Sequence, residues 1–136
     1  MDAVTQALYD AAQKVRKHAH VPYSEFPVGA AILADDGNIY AGCNVENAAY
    51  PQGSCAEASA ISAMVGAGAK KIHRIFVIGK GVDPVTPCGG CRQRIREFAT
   101  SETTIICTGE DGEPKSYTMN EILPDSFGPE SLEAVK

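Results

Sequence analysis

Ala3, Ala7, Leu8, Ala11, Ala12 and Val15 recur at three- and four-residue intervals. This spacing predicts an amphipathic first helix that fades near His18. Val21-Pro22-Tyr23-Ser24 then breaks it. Val28 to Leu33 reads as a strand, Asp36-Gly37 as a hairpin turn, and Ile39 to Glu46 as the returning antiparallel strand. Cys55 to Val65 is alanine-rich and helical, closed by Gly66 and Gly68. Ile75 to Ile78 is wholly apolar, as expected for a strand covered on both faces. Cys88 to Phe98 predicts the next helix and Thr104 to Cys107 another buried strand. After a turn at Asp111-Gly112, a weaker strand at Lys115 to Thr118 and a short helix at Met119 to Leu123 complete the pattern. The order α-β-β-α-β-α-β-β-α predicts an α/β fold of three layers, a mixed five-stranded sheet between helices. No repeat, low-complexity run or linker divides the chain, so residues 1–136 are expected to form a single domain.

Composition narrows the class. The chain carries a net charge of −5 with a pI of about 5.1, which argues against a polynucleotide partner. The basic clusters Lys14–Lys17 and Arg92–Arg96 sit at helical spacing and read as solvated faces. The first twenty residues have no continuous apolar core, and no stretch is long enough to span a bilayer, so no membrane partner is expected. Cys43, Cys55, Cys88, Cys91 and Cys107 in such a chain point to a reducing cytoplasm. There, clustered cysteines more often serve a metal or catalysis than disulfides.

Three of these cysteines fall at predicted helix starts, in Ser54-Cys55-Ala56-Glu57 and Thr86-Pro87-Cys88-Gly89-Gly90-Cys91. Cys88 and Cys91 are three apart, so both thiols can point to one side, and Cys55 can supply a third sulfur. Zinc takes thiolates readily, and a catalytic zinc site holds three protein ligands and leaves a fourth position for water. Three thiolates on a divalent ion leave one net negative charge, which converging helix N-termini partly offset. Arg92, next to Cys91, is expected to donate to a sulfur. Glu57, on the first turn after Cys55, is placed to move protons to and from the water. Other readings of the same residues stand beside this one. Ser54-x-x-Glu57 also fits a capping box. Cys-x-x-Cys also fits a redox pair, or half of a structural zinc finger completed by Cys43, Cys107, His18, His20 or His73.

Cys-Ala-Glu at one helix start, followed about thirty residues later by Pro-Cys-Gly-Gly-Cys, resembles the cytidine deaminase family. The resemblance extends through Pro22-Tyr23-Ser24, Phe26 to Ala31, Asn44 to Tyr50, Leu123-Pro124 and Phe127-Gly128. It implies the small free-nucleoside type with a three-cysteine zinc site, acting on cytidine and 2′-deoxycytidine in pyrimidine salvage. It also implies a homotetramer with active sites at subunit junctions, and one Zn²⁺ per subunit held by Cys55, Cys88 and Cys91. Glu57 is the implied proton carrier, with backbone N–H groups at Ala56 and Cys88 near the water or ring.

Asn44 and Glu46 are two apart on a predicted strand and so face one side. An amide and a carboxylate together can grip a sugar hydroxyl; the resemblance assigns them to the ribose. Residues facing solvent, or a turn at Asn44 and Asn47, would give the same pattern. By resemblance Phe26 packs against the pyrimidine, Phe127 reaches a neighbouring subunit's site, and Tyr50 lies at a subunit junction. One departure stands out: many relatives with three cysteine ligands carry arginine directly after the glutamate, and here that position is Ala58. Three alternatives accompany this reading. They are a deaminase for a blasticidin-type antibiotic, a polynucleotide deaminase, which the acidic charge disfavours, and a non-catalytic zinc-stabilised module, which requires a fourth protein ligand.

Overall fold

A computed structural model describes residues 1–136. The elements are α1 (Ala3–Arg16), β1 (Gly29–Ala34), β2 (Ile39–Cys43), α2 (Ala56–Gly66), β3 (Ile72–Gly79), α3 (Gly89–Phe98), β4 (Ala99–Gly109), β5 (Lys115–Thr118), α4 (Met119–Ile122) and α5 (Pro129–Glu133). A 3₁₀ turn at Tyr50–Gln52 lies between β2 and α2. The five strands form one sheet in the order β2-β1-β3-β4-β5. Only β3 and β4 pair in parallel. That pairing requires a crossover, and α3 supplies it. The mixed three-layer architecture predicted above is the one observed.

Each face of the sheet has its own apolar layer. Leu8 and Ala12 of α1 pack on Ala31, Phe76, Ile78 and Ile106. On the other face, Ala60, Ile61 and Met64 of α2 and Ile95 of α3 pack with Ala30, Ile32, Ile75, Val77 and Ile105. The alternation of Ala30 and Ile32 against Ala31 within β1 is the two-residue period of a strand buried on both faces. Asp2 starts α1 by accepting a hydrogen bond from the Thr5 N–H at 2.8 Å. Gly37, at φ +80°, closes the β1–β2 hairpin in a left-handed conformation.

Several boundaries differ from expectation. β3 and β4 extend beyond their apolar centres, because pairing with neighbours carries polar residues such as Arg74 and Thr108 into the ladder. β2 ends at Cys43 rather than Glu46. Beyond it Val45 makes single bridges to His20 and Ser54, so this segment crosses between loops. The 3₁₀ turn and α5 were not expected, being too short to show an apolar period. No helix is long and apolar enough to cross a membrane.

Helix α2 lies very close to β2. A Cβ built on Gly42 would overlap the backbone nitrogen of Ala60 and the Cβ of Ser59, whereas one on Gly66 meets nothing. Gly42→Ala is therefore expected to destabilise the fold by about 1–3 kcal/mol in denaturant unfolding, because backbone must move. Gly66→Ala should be neutral or slightly stabilising. Equal midpoints for the two variants would contradict this packing.

Candidate metal centre and active site

The chain reaches α2 and α3 through extended residues, and in both cases that residue is a cysteine. Cys55 is the N-cap of α2 (φ −73°, ψ 157°) and Cys88 the N-cap of α3 (φ −64°, ψ 166°). Neither side chain caps its own helix, so both thiols are free to point elsewhere. Cys91 lies in the first turn of α3 and is fully buried. The three Sγ atoms lie within 4.8 Å of one another. Thiolates on one tetrahedral zinc stand about 3.8 Å apart, so the group fits that ion. No fourth histidine, cysteine or carboxylate joins it. Cys107, buried in β4, is outside the group, and burial pushes its thiol up to about 12. Cys43 and the three histidines are outside it as well.

The electrostatics of the thiols follow from placement. A hydrogen bond from the Cys91 backbone N–H holds the Cys88 thiol below its ordinary value. Burial pushes Cys91 and Cys55 upward. Glu57 and the other two thiols add to the rise at Cys91, whereas at Cys55 a hydrogen bond with Cys91 works against burial while Cys88 and Glu57 add to it. A divalent cation reverses that preference by stabilising thiolate.

Glu57 is only 5% exposed. Burial raises its carboxyl above the usual glutamate range, its own backbone N–H lowers it somewhat, and the Arg94 charge lowers it further. A cavity of about 180 Å³ brings it together with Cys55, Ala56, Cys88, Asn44, Val28, Val85 and Thr86. The capping-box reading fails here. Cys55 rather than Ser54 is the N-cap, and the Ser54 hydroxyl faces that of Ser59 at 3.4 Å.

The arginine expected at the sulfurs is a different one. Arg92 donates through Nε to the Pro87 carbonyl (2.7 Å), through Nη1 to the Ile122 carbonyl (2.9 Å) and through Nη2 to Thr86 Oγ1 (3.3 Å). It clamps the loop before α3 to the end of α4. Arg94 donates through Nη1 to Cys91 Sγ at 3.6 Å. The reason is helical geometry: a residue three positions along shares a face with Cys91, while the next residue is turned about 100° away. The i, i+3 spacing in the sequence carried this signal.

Asn44 and Glu46 both hold the loop that carries Phe26. The Asn44 amide accepts from the Val28 N–H and donates to the Phe26 carbonyl, each at 2.9 Å. One further N–H and one lone pair remain on that amide. Glu46 Oε1 accepts the N–H groups of Tyr23 (3.0 Å) and Ser24 (3.1 Å). Hydrogen bonds from Ser24 hold this carboxyl below its ordinary range. The expectation that the two share one side changes in detail, because β2 ends before them. Asn44 lines the cavity with the cysteines, and Glu46 lines an adjoining hollow of about 370 Å³ with Tyr23, Asn47 and Tyr50. Phe26 is exposed beside these residues, following Glu25 at φ +54°.

Tyr50 (75% exposed) meets only the edge of Tyr23, with ring centroids 5.7 Å apart. Phe127 is 59% exposed and is tied down by its carbonyl, which accepts from Gln93 Nε2 at 2.8 Å. Neither lines the cavity that holds the cysteines. Val85 and Thr86 do line it and were not singled out from sequence, since they sit in a loop without periodic pattern. A larger cavity of about 570 Å³ around Arg96, Thr100, Asn120 and Glu130 shares no residue with this site.

Comparison with known proteins bears on this constellation. The family model described as "Cytidine and deoxycytidylate deaminase zinc-binding region" matches residues 3–108. The chain is 43% identical over 120 residues to a cytidine deaminase of Sporosarcina psychrophila, covering 88% of each. It is 37% identical over 127 residues to one of Halalkalibacterium halodurans, covering 93% of this chain and 96% of the other. Among solved structures, the cytidine deaminase of Burkholderia pseudomallei superposes with a TM-score of 0.86 at 37% identity, covering 93% of this chain and all (100%) of that one. Matched in sequence over most of its length and in fold over nearly all of it, the chain belongs to the cytidine and deoxycytidylate deaminase family.

Proposed function

We propose that the protein is a zinc-dependent cytidine deaminase that hydrolyses cytidine and 2′-deoxycytidine to uridine and 2′-deoxyuridine, releasing ammonia. The observation that carries this reading is a cluster of three sulfurs, two of whose cysteines, Cys55 and Cys88, line one cavity together with the buried carboxyl of Glu57. Zinc, when bound, supplies the Lewis acidity that makes water nucleophilic near neutral pH. The residues supply everything else. Glu57 accepts the proton that the water gives up and delivers it to N3 of the cytosine ring as C4 is attacked. It then carries the water's second proton to the departing amine, which leaves as ammonia. Burial suits it to this task, because a carboxyl raised above the usual glutamate range takes up a proton more readily than an exposed one. The N–H groups at Ala56 and Cys88 face the reacting atoms.

Phe26 packs against the pyrimidine, its ring held out on a loop that Asn44 and Glu46 fasten from below. The unused N–H and lone pair of Asn44, with the second carboxylate oxygen of Glu46, grip the ribose 3′-hydroxyl. A site that reads the 3′ position tolerates 2′-deoxy substrates. Tyr50 and Phe127, both exposed, serve a homotetramer in which subunit contact would cover them, as the family resemblance implies. Residues 1–136 act as one domain, in the cytoplasm, in pyrimidine salvage. Five free cysteines suit a reducing compartment. The three-ligand group gives no support to a closed structural zinc module, which needs a fourth protein ligand.

Glu57→Gln is expected to keep full zinc occupancy and lose about 100- to 10,000-fold in kcat. Ultraviolet loss of cytidine, measured on protein of known metal content, checks this; near-normal turnover would refute the role of Glu57. Cys88→Ala should lose zinc and unfold at a lower temperature than the holoprotein. Metal analysis with thermal unfolding decides it, and native zinc content with native stability would refute the ligand assignment.

A further inference from the structure

The charge at the metal centre is not closed by the residues considered so far. Three thiolates and a divalent ion leave one negative charge. Two helix N-termini offset part of it. Arg92 spends its donors on Pro87, Ile122 and Thr86. One cationic side chain hydrogen-bonds to a ligand sulfur, and it is Arg94, whose Nη1 is 3.6 Å from Cys91 Sγ. The local backbone accommodates it. Arg94 folds back along α3 so that a Cβ on Gly90 would lie 3.2 Å from Nη1, and glycine leaves that path open.

Position 58 makes the arrangement informative. Ala58 stands three residues after Cys55 on α2, as Arg94 stands three residues after Cys91 on α3. The two positions share the same spacing from a ligand cysteine, although Cys55 is the N-cap of α2 and Cys91 lies within the first turn of α3. An arginine at either can reach the sulfur one turn below it. Here the first helix has alanine and the second has arginine.

We propose that Arg94 is the charge-balancing residue of this metal centre, doing from α3 what an arginine at position 58 would do from α2. The inference rests on the zinc-site reading above. Arg94 is a positioning residue: it touches a ligand sulfur and acts on the metal through it. Its hydrogen bond draws electron density from the Cys91 thiolate, so the sulfur donates less to zinc and the ion stays more acidic. It also holds Cys91 in its ligating orientation.

The test uses whole protein loaded with Co²⁺ for spectroscopy and with Zn²⁺ for metal retention and turnover. A hydrogen bond stabilises the sulfur lone pair and raises the energy of sulfur-to-metal charge transfer. Arg94→Gln should therefore move that Co²⁺ band to lower energy. It should also lose zinc to a chelator, and kcat for cytidine, by about 10- to 100-fold. Arg94→Lys keeps the charge and should fall between. Adding Ala58→Arg to Arg94→Gln should return the band, zinc retention and kcat toward wild type. If Arg94→Gln alone does not fold, the double variant carries the test and is expected to fold and hold zinc. A wild-type band and wild-type retention in Arg94→Gln would overturn the proposal. So would losses that neither lysine nor the relocated arginine reverses. The band and metal retention need no substrate, so they stand apart from the deaminase reading, which fails instead if the zinc-loaded wild type leaves cytidine unchanged.

Discussion

Two helix N-termini meet at one small volume, and the three thiols they carry repel one another as thiolates until a cation joins them. Much of the architecture follows from bringing those two termini together. The parallel pairing of β3 with β4 forces a crossover, and α3 is that crossover, so its N-terminus emerges beyond the end of β3. Helix α2 reaches the same region because Gly42 lets it settle onto β2 at backbone distance. Cysteine at the N-cap of each helix then aims a sulfur away from its own helix and into the gap. The same geometry buries Glu57 in the first turn of α2, and that burial raises its carboxyl above the usual glutamate range.

Around this rigid centre the substrate side is built from loops tied by side chains. Glu25 adopts φ +54°, a conformation that costs a non-glycine residue energy, immediately before Phe26. Several bonds hold the loop in place. Glu46 takes two of its N–H groups, and Asn44 takes one N–H and one carbonyl. Arg16 reaches across from α1 to the Pro27 carbonyl at 3.0 Å, and Lys80 reaches the Glu25 carbonyl at 3.2 Å. Residues that bind sugar in the proposed reaction thus also set the height of the aromatic ring above the cavity. Binding and ring placement are coupled through the same amide.

Much of this was legible in the residues themselves. Apolar period placed α1, the β1–β2 hairpin and the buried centres of β3 and β4, because burial on one or two faces leaves a regular trace. The three-cysteine cluster, with Glu57 beside it, was legible because metal chemistry admits few residue types at short, fixed spacing. The end of β2 was not. Asn44 and Glu46 continue its alternation, yet the chain there pairs with His20 and Ser54, contacts that come from distant segments. Adjacency to a ligand in sequence points to Arg92, yet the side chain that reaches Cys91 is Arg94. On a helix, adjacency separates side chains and a spacing of three brings them together. Ser54 looked like a cap for the same reason: the motif fits, but the helix starts one residue later on Cys55.

The central claim is that two helix starts build a three-sulfur centre with one position left open. X-ray absorption at the zinc edge of the purified protein addresses it most directly. The account predicts three sulfur scatterers and one light scatterer, the latter replaced when a nucleoside analogue is added. Four protein-derived scatterers, unchanged by any nucleoside, would contradict it and describe a closed structural site.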